Sequence, residues 1–422
     1  MSIGILGLLF VVMVLCGVPI AFTLLALSVV SVIYNPALIE LILVQRIVIG
    51  TQSFPLLAVP LFILAGELMN ISGISGRVMN FAQVLTKKLP GGLAQSNIVL
   101  SMLLAGMSGS ANADAAMQGK ILVPEMVERG YPKSFSTIVT AFSGLISPMI
   151  PPGISLIILA FVCNLSIGAM FVAAIIPGAL LAIGLMTVTH FLVKRRGYEP
   201  PDNSPRKPGT LRKALLRSFP ALILPIFIIV GIRFGVFTPT EAAACAVVYT
   251  GLFCFIYRET SWKQVKKALT NVVKSTAAIL LIIAASSAFS WVLTFQQVPQ
   301  QIAMTITQVS SNPTVMLMII ALLLLIIGMF IEGTASILIL APIFLPVVQQ
   351  LGIDPIHYGI VFVYFVHLGG VTPPVGTIMF TACSVTGLST MEFAKHCMNY
   401  LFTVIGIGLL LILFPPLVIG IL

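Results

Sequence analysis

The sequence predicts an all-α polytopic membrane protein, an inverted-topology repeat with two re-entrant helical hairpins and two proline-broken helices. Three observations carry that prediction: the composition, a self-match at a fixed offset, and proline pairs at matching places in both halves. Of 422 residues 59% are hydrophobic and only 8% charged, with a mean hydropathy of +1.12, too few charges to cover a water-facing surface. Backbone polar groups find no partners in lipid, so spans must be helices or a closed barrel, and continuous apolar runs without period-two alternation select helices. The net charge of +10 would point to nucleic acid in a soluble chain. Here its placement reads as topology, and no nucleic acid is expected.

The first repeat is expected over residues 1–193. It opens with the apolar run Ile3–Val30, long enough to cross a bilayer. No basic residue precedes Arg46, so this run reads as a retained span rather than a signal peptide. Next, the apolar arm Ser96–Met107 reaches the polar tip GMSGSANAD (Gly106–Asp114) and returns through KILVPEM to Gly130. Each arm is short for a span that also carries a polar tip, so residues 91–130 are expected to form a re-entrant hairpin. Irregular backbone at membrane depth is tolerated only where protein or a cavity covers it. In SGLISPMIPPG (143–153), Pro151 and Pro152 remove amide donors and must break the helix expected over 134–165. The apolar run Gly168–Val193 closes this repeat.

Residues 194–217 hold eight of the 22 Lys and Arg, with a Pro/Gly/Asp/Asn/Ser content that marks a linker. Basic short loops stay cytoplasmic, which places this linker inside. The second repeat is expected over 218–422. Within it, residues 260–275 are amphipathic: Trp262, Val265, Leu269, Val272 and Val273 share one face, with Lys263, Lys266, Lys267 and Lys274 elsewhere. They read as an interfacial helix drawn to the headgroups of membrane lipids, or as a docking site for a partner. A second hairpin is expected over 313–350 with its tip at EGTAS (Glu332–Ser336), then a helix over 355–385 broken at Pro373 and Pro374, and a last apolar run, Tyr400–Leu422.

An offset of 222 residues places Gly106 and Met107 on Gly328 and Met329, Pro124 on Pro346, Gly130 on Gly352, and the first proline pair on the second. Such Pro and Gly coincidences are not cheap in an apolar chain, so the halves are a duplication. Lys87, Lys88, Arg129 and Lys133 flank the first hairpin, whereas Gln300, Gln301, Gln349, Gln350 and Asp354 flank the second. By the positive-inside rule the two hairpins open to opposite sides, the arrangement of an inverted repeat.

Both breaks free backbone carbonyls, near Ser143–Met149 and Leu368–Thr372, which suit a dehydrated Na⁺. The half-helix that resumes after each break turns its positive end toward the same region and favours an anionic substrate. A proline kink healed by a neighbouring hydroxyl or water explains one isolated pair; two pairs at equivalent positions favour ligand binding. Asp114 and Glu332 are the acidic residues nearest the tips, suited equally to binding and to balancing charge. Lys120 pairs with Asp114 or Glu125 or snorkels to the interface, and Glu67 and His367 read as structural. The six cysteines and 18 methionines read as packing residues. GMSG also fits the G-x-S-G nucleophile motif of an intramembrane serine protease, with Ser108 attacking and His190 or His367 as base. Its repeat-mate GMFIEG has no serine, and a protease has no use for two hairpins.

The blocks SGSANAD, IPPG, GTASILILAPIFLPVVQQLGIDPIHYG and GGVTPPVG also resemble the large membrane subunit of tripartite ATP-independent periplasmic (TRAP) transporters, the DctM family. The resemblance covers nearly the whole chain. It implies a non-enzymatic, elevator-type transporter of the bacterial cell inner membrane, coupled to Na⁺, two ions by the family pattern. It implies an organic anion (carboxylate, sugar acid or sulfonate) handed over by a periplasmic substrate-binding protein, and a small four-helix membrane subunit as partner. Carried over by position, one sodium site uses Ser108, Ser110 and Asn112 with the carbonyls of Gly144, Ser147 and Met149. The other uses Gly333 and Thr334 with Gly369, Thr372 and Val375. Substrate then lies between the tips against Ser110, Asn112, Asp114 and Glu332. The chain departs from the family pattern at Glu332, where many members carry Asp, and at Gly153, where Ser is usual. The residues alone leave open a stand-alone Na⁺-dicarboxylate symporter or Na⁺/H⁺ antiporter of related architecture.

Overall fold

The computed structural model describes residues 3–35, 37–198, 210–307, 310 and 312–422, all in helices and their connections. The first repeat contains α1 (Ile3–Leu15), α2 (Ile20–Tyr34), α3 (Glu40–Thr51), a 3-10 turn (Phe54–Leu57), α4 (Ala58–Ile71) and α5 (Ile74–Thr86). It continues with α6 (Gly92–Ser108), α7 (Ala111–Glu128), α8 (Lys133–Ser143), a second 3-10 turn (Gly144–Ile146), α9 (Ile154–Val162) and α10 (Ile167–Arg196). The second repeat contains α11 (Thr210–Arg233), α12 (Pro239–Tyr257), α13 (Trp262–Phe295), α14 (Val298–Thr307), α15 (Pro313–Phe330) and α16 (Gly333–Gln350). It ends with α17 (Pro355–Val371), α18 (Thr377–Thr386), α19 (Thr390–His396), α20 (Met398–Leu413) and α21 (Pro416–Ile419). Among the described residues seven helices are long and apolar enough to cross a membrane, or eight counting α19 with α20, bent by 63°.

The offset of 222 carries α7 onto α16 end to end. Each hairpin turns within two residues, Gly109–Ser110 and Ile331–Glu332. Its arms of 17 or 18 residues are about 26–27 Å long at 1.5 Å per residue. That length is close to a hydrocarbon core of about 30 Å, and α15 and α16 are two of the seven helices counted above. The breaks fall where the proline pairs demand them, at 147–153 between the second 3-10 turn and α9, and at 372–376 between α17 and α18.

The repeats are exchanged rather than stacked. Helix α9 packs on α16 and α18 packs on α7, so each broken helix delivers its second half to the other repeat's hairpin. Helices α15 and α17 meet backbone to backbone: a Cβ on Gly369 would lie 2.5 Å from the Leu325 carbonyl oxygen and 2.7 Å from the Gly328 backbone. Around this unit, α4 packs on α12 and α13, and α13 on α2 and α3.

Three expectations change. The run Ile3–Val30 is two helices, because Gly17 adopts φ +79° and Pro19 has no amide to continue α1. The linker is shorter than 194–217. Lys194, Arg195 and Arg196 form the last turn of α10, where cations suit the helix dipole, and Gly197 caps it; residues 210–217 begin α11. Residues 199–209 of the linker lie outside the described residues. The segment 260–275 is no separate interfacial helix but the start of α13, which runs unbroken for 34 residues, about 51 Å. Its capping box, Ser261 with Gln264, starts the helix, and nothing corresponding to Pro55 of the first repeat interrupts it.

Candidate functional site

A cavity of about 420 Å³ lies between the two hairpin tips. The tips, α9, α17 and α18 supply one part of its lining, and α4 with α13 the rest. At the first tip Ser110 is the N-cap of α7, its Oγ accepting from the Ala113 amide at 3.4 Å. At the second, Glu332 is the N-cap of α16: its carboxylate accepts from the amides of Thr334 (2.8 Å) and Ala335 (3.3 Å) and from the Thr334 hydroxyl (3.1 Å). Two of the lining segments are thus first turns of α7 and α16. Ile154 and Ser155 are the first turn of α9, and Thr377 and Ile378 that of α18. Four helix N-termini therefore reach one cavity, those of α7 and α16 partly satisfied by the Ser110 and Glu332 caps, and no Lys or Arg lines it.

Glycine lets these ends close. Gly109 has φ +54°, and a Cβ there would sit 2.9 Å from the Ile154 amide nitrogen. A Cβ on Gly333 would sit 2.6 Å from His367 Nε2. The imidazole itself is fully engaged. A carbonyl only accepts, so Nδ1 donates to the Val363 oxygen (2.8 Å); Nε2 then accepts from the Ser155 hydroxyl at 3.1 Å. His367 thus has no nitrogen free to serve as a base. Neither does His190 line the cavity, and the Ser108 side chain lies outside the described residues.

Each tip faces its own break. The carbonyl of Ala111 lies 3.0 Å from where a Gly144 Cβ would be, and the Gly144 carbonyl accepts from the Ser147 amide at 3.2 Å. Ser147 Oγ donates to Asp114 Oδ2 at 2.9 Å, and Ser147 and Met149 are buried. In the second break the Thr372 hydroxyl donates to the Leu368 carbonyl at 2.7 Å and its amide to Gly369 at 2.9 Å. The carbonyls of Gly370 and Thr372 converge, since a Cβ on Gly376 would fall 2.7 and 3.0 Å from them. Val375 lies in this turn, between Pro374 and Gly376. The second break therefore gathers oxygen ligands of the kind a hard cation takes. Among the described residues no group of three or more His, Cys, Asp or Glu offers a site for a softer metal.

Of the residues expected to touch substrate, Ser110, Asn112 and Glu332 line the cavity and Asp114 does not. Two positions along a helix rotate the side chain by about 200°, so Asn112 faces the cavity while Asp114 faces the break. Asp114 is fully buried, and its Oδ1 has no hydrogen-bond partner. Lys120 is exposed and pairs with neither candidate; Glu125 instead binds Arg129 at 2.6 Å. Sequence reasoning missed Ser155, Asn70, Ser275 and Thr381, whose hydroxyl donates to Asn112 Oδ1 at 3.5 Å. Glu67, read there as structural, lines the cavity.

The cap at the second tip gives a direct test. Replacing Glu332 with Ala strips three accepted hydrogen bonds and should cost about 1 kcal/mol of stability. Glu332→Gln, which retains an acceptor, should cost less. Thermal unfolding of the two purified variants checks the order, and equal midpoints would remove Glu332 as a cap that matters.

Residues 7–417 match the family described as Tripartite ATP-independent periplasmic transporter, DctM component. The chain is 36% identical over 413 residues to the sialic acid TRAP transporter large permease protein SiaM of Vibrio cholerae, covering 98% of this chain and 95% of that one. It is 38% identical over 341 residues to the C4-dicarboxylate TRAP transporter large permease protein DctM of Pseudomonas aeruginosa, covering 80% and 79%. The crystal structure of the Alcanivorax borkumensis YdaH transporter, described as having an unusual topology, has the same fold. The two agree with a TM-score of 0.62 at 16% identity, over 97% of this chain and 98% of that one.

Proposed function

Because the chain belongs to the DctM-component family of tripartite ATP-independent periplasmic transporters, membrane transport subunits and not enzymes, we propose that it imports an organic anion together with Na⁺. One observation carries this reading: four helix N-termini meet at a cavity between two polar tips, with no fixed cation among its lining residues. Such ends bind carboxylate or sulfonate through amides without a permanent positive charge that would hold the anion too long.

Two Na⁺ ions then supply the remaining positive charge. The first is held by Ser108, Ser110 and Asn112 with carbonyls of Gly144, Ser147 and Met149, and the second by Gly333 and Thr334 with Gly369, Thr372 and Val375. Asp114 holds the first break through Ser147 rather than touching substrate. Helices α6–α9 and α15–α18 form a transport domain that moves as an elevator against α1–α5 and α11–α14. Loading neutralises most of the site's charge and so lowers the cost of carrying it through hydrocarbon, whereas a half-loaded site stays costly and immobile. The protein works in the bacterial inner membrane, with its basic linker in the cytoplasm. A small four-helix membrane subunit joins it there, and a periplasmic binding protein delivers the substrate.

The test is reconstitution of this chain with its small subunit, with and without the binding protein. Uptake should require the binding protein. Full-rate uptake of free substrate would sink the tripartite reading and favour a stand-alone carrier.

A further inference from the structure

The part of the cavity lining that α4 and α13 contribute carries no cation; among the apolar Ile63, Ala278, Ile279 and Ile282 it holds three polar side chains. Glu67 and Asn70 reach it from α4, one turn apart, and Ser275 from α13. Asn271 Nδ2 donates to Glu67 Oε1 at 3.4 Å, which holds one oxygen of the carboxylate and leaves the other to the cavity. Ser75 Oγ donates to Asn70 Oδ1 at 2.8 Å, fixing the amide with its Nδ2 left to donate. Glu332, the other carboxylate at the cavity, spends its oxygens on capping α16.

A carboxylate oxygen accepts and an amide nitrogen donates, so Glu67 and Asn70 place an acceptor and a donor one turn apart on this lining. Hydroxyl groups do both and match it. A second carboxylate on the substrate accepts only, and it would find no donor in the Glu67 oxygen. We propose that the carried anion is a polyhydroxylated monocarboxylate. Its carboxylate sits at the N-termini of α7, α9, α16 and α18, and its hydroxyls are read by Glu67, Asn70 and Ser275. The inference rests on the anion-symport reading above and narrows its substrate class.

The permease with its small subunit, purified in saturating Na⁺, is titrated with D-gluconate, N-acetylneuraminate, succinate, hexanoate and ethanesulfonate, and binding is read by thermal stabilisation. At least one of the two hydroxylated acids should bind about tenfold or more tightly than hexanoate and succinate, because a site built for hydroxyls rejects analogues that lack them. Glu67→Gln should weaken that ligand about tenfold, the scale of a lost charge-assisted hydrogen bond. Asn70→Leu, at an exposed position, should weaken it as well, and it decides the question if Glu67→Gln does not fold. Succinate or ethanesulfonate as the tightest ligand, hexanoate binding equally well, no binding by either hydroxylated acid, or unchanged affinity in the folded variants overturns the proposal. Failure of the symport reading shows elsewhere, as uptake that ignores Na⁺, so the two outcomes are distinguishable.

Discussion

Removing the inward Na⁺ gradient should abolish substrate accumulation in proteoliposomes that hold the complete system. With two ions per substrate and no membrane potential, a tenfold gradient supports an accumulation of about 100-fold, and one ion only about tenfold. The slope of log accumulation against log gradient therefore reads the stoichiometry. Accumulation without Na⁺ would end the coupling proposal. Thr372→Ala sharpens the test. Its hydroxyl bridges back to the Leu368 carbonyl inside the second break, so its loss should raise half-saturating Na⁺ by about tenfold while membrane insertion continues. Wild-type Na⁺ activation in that variant would remove Thr372 from the site.

A second large effect is expected at Gly369. Its missing Cβ would fall 2.5 Å from the Leu325 carbonyl oxygen and 2.7 Å from the Gly328 backbone, atoms that cannot swing aside as a side chain can. Gly369→Val forces α15 and α17 apart, and overpacking of this kind typically costs about 1–3 kcal/mol even where side chains can yield. Lost yield of monodisperse protein and a lowered unfolding midpoint are the expected results. Gly406, with nothing within 4 Å of its Cβ position, is the control, and Gly406→Ala should be tolerated. Equal behaviour of the two variants would contradict the close helix contact.

Hairpins and breaks were legible because Pro and Gly act locally: Gly109, Pro151, Pro152, Pro373 and Pro374 each impose a backbone change wherever the chain runs. The fixed offset then transferred one half's boundaries to the other. What tertiary packing decides was not legible. Nothing local says that Asp114 turns to Ser147 while Asn112, two residues earlier, faces the cavity. Glu67, Asn70 and Ser275 belong to helices far apart in sequence and become neighbours only when α4 meets α13. The lysine-rich start of α13 looked like a separate surface helix because charge marks the interface without marking a helix end. The break at Gly17 and Pro19, by contrast, was readable, but the apolar residues on both sides outweighed it.

The exchange of half-helices between the repeats also sets an order of events at the ribosome. Helix α9 is complete at residue 162, but its partner α16 begins only at residue 333, 171 residues later (333 − 162). At about 5–20 residues per second, that interval lasts roughly 10–30 s. Throughout it α9 lacks the helix it packs on in the finished fold. A chain that ends before residue 333 therefore leaves α9 without α16 and α7 without α18, so the two broken helices can pack only once the second half is made.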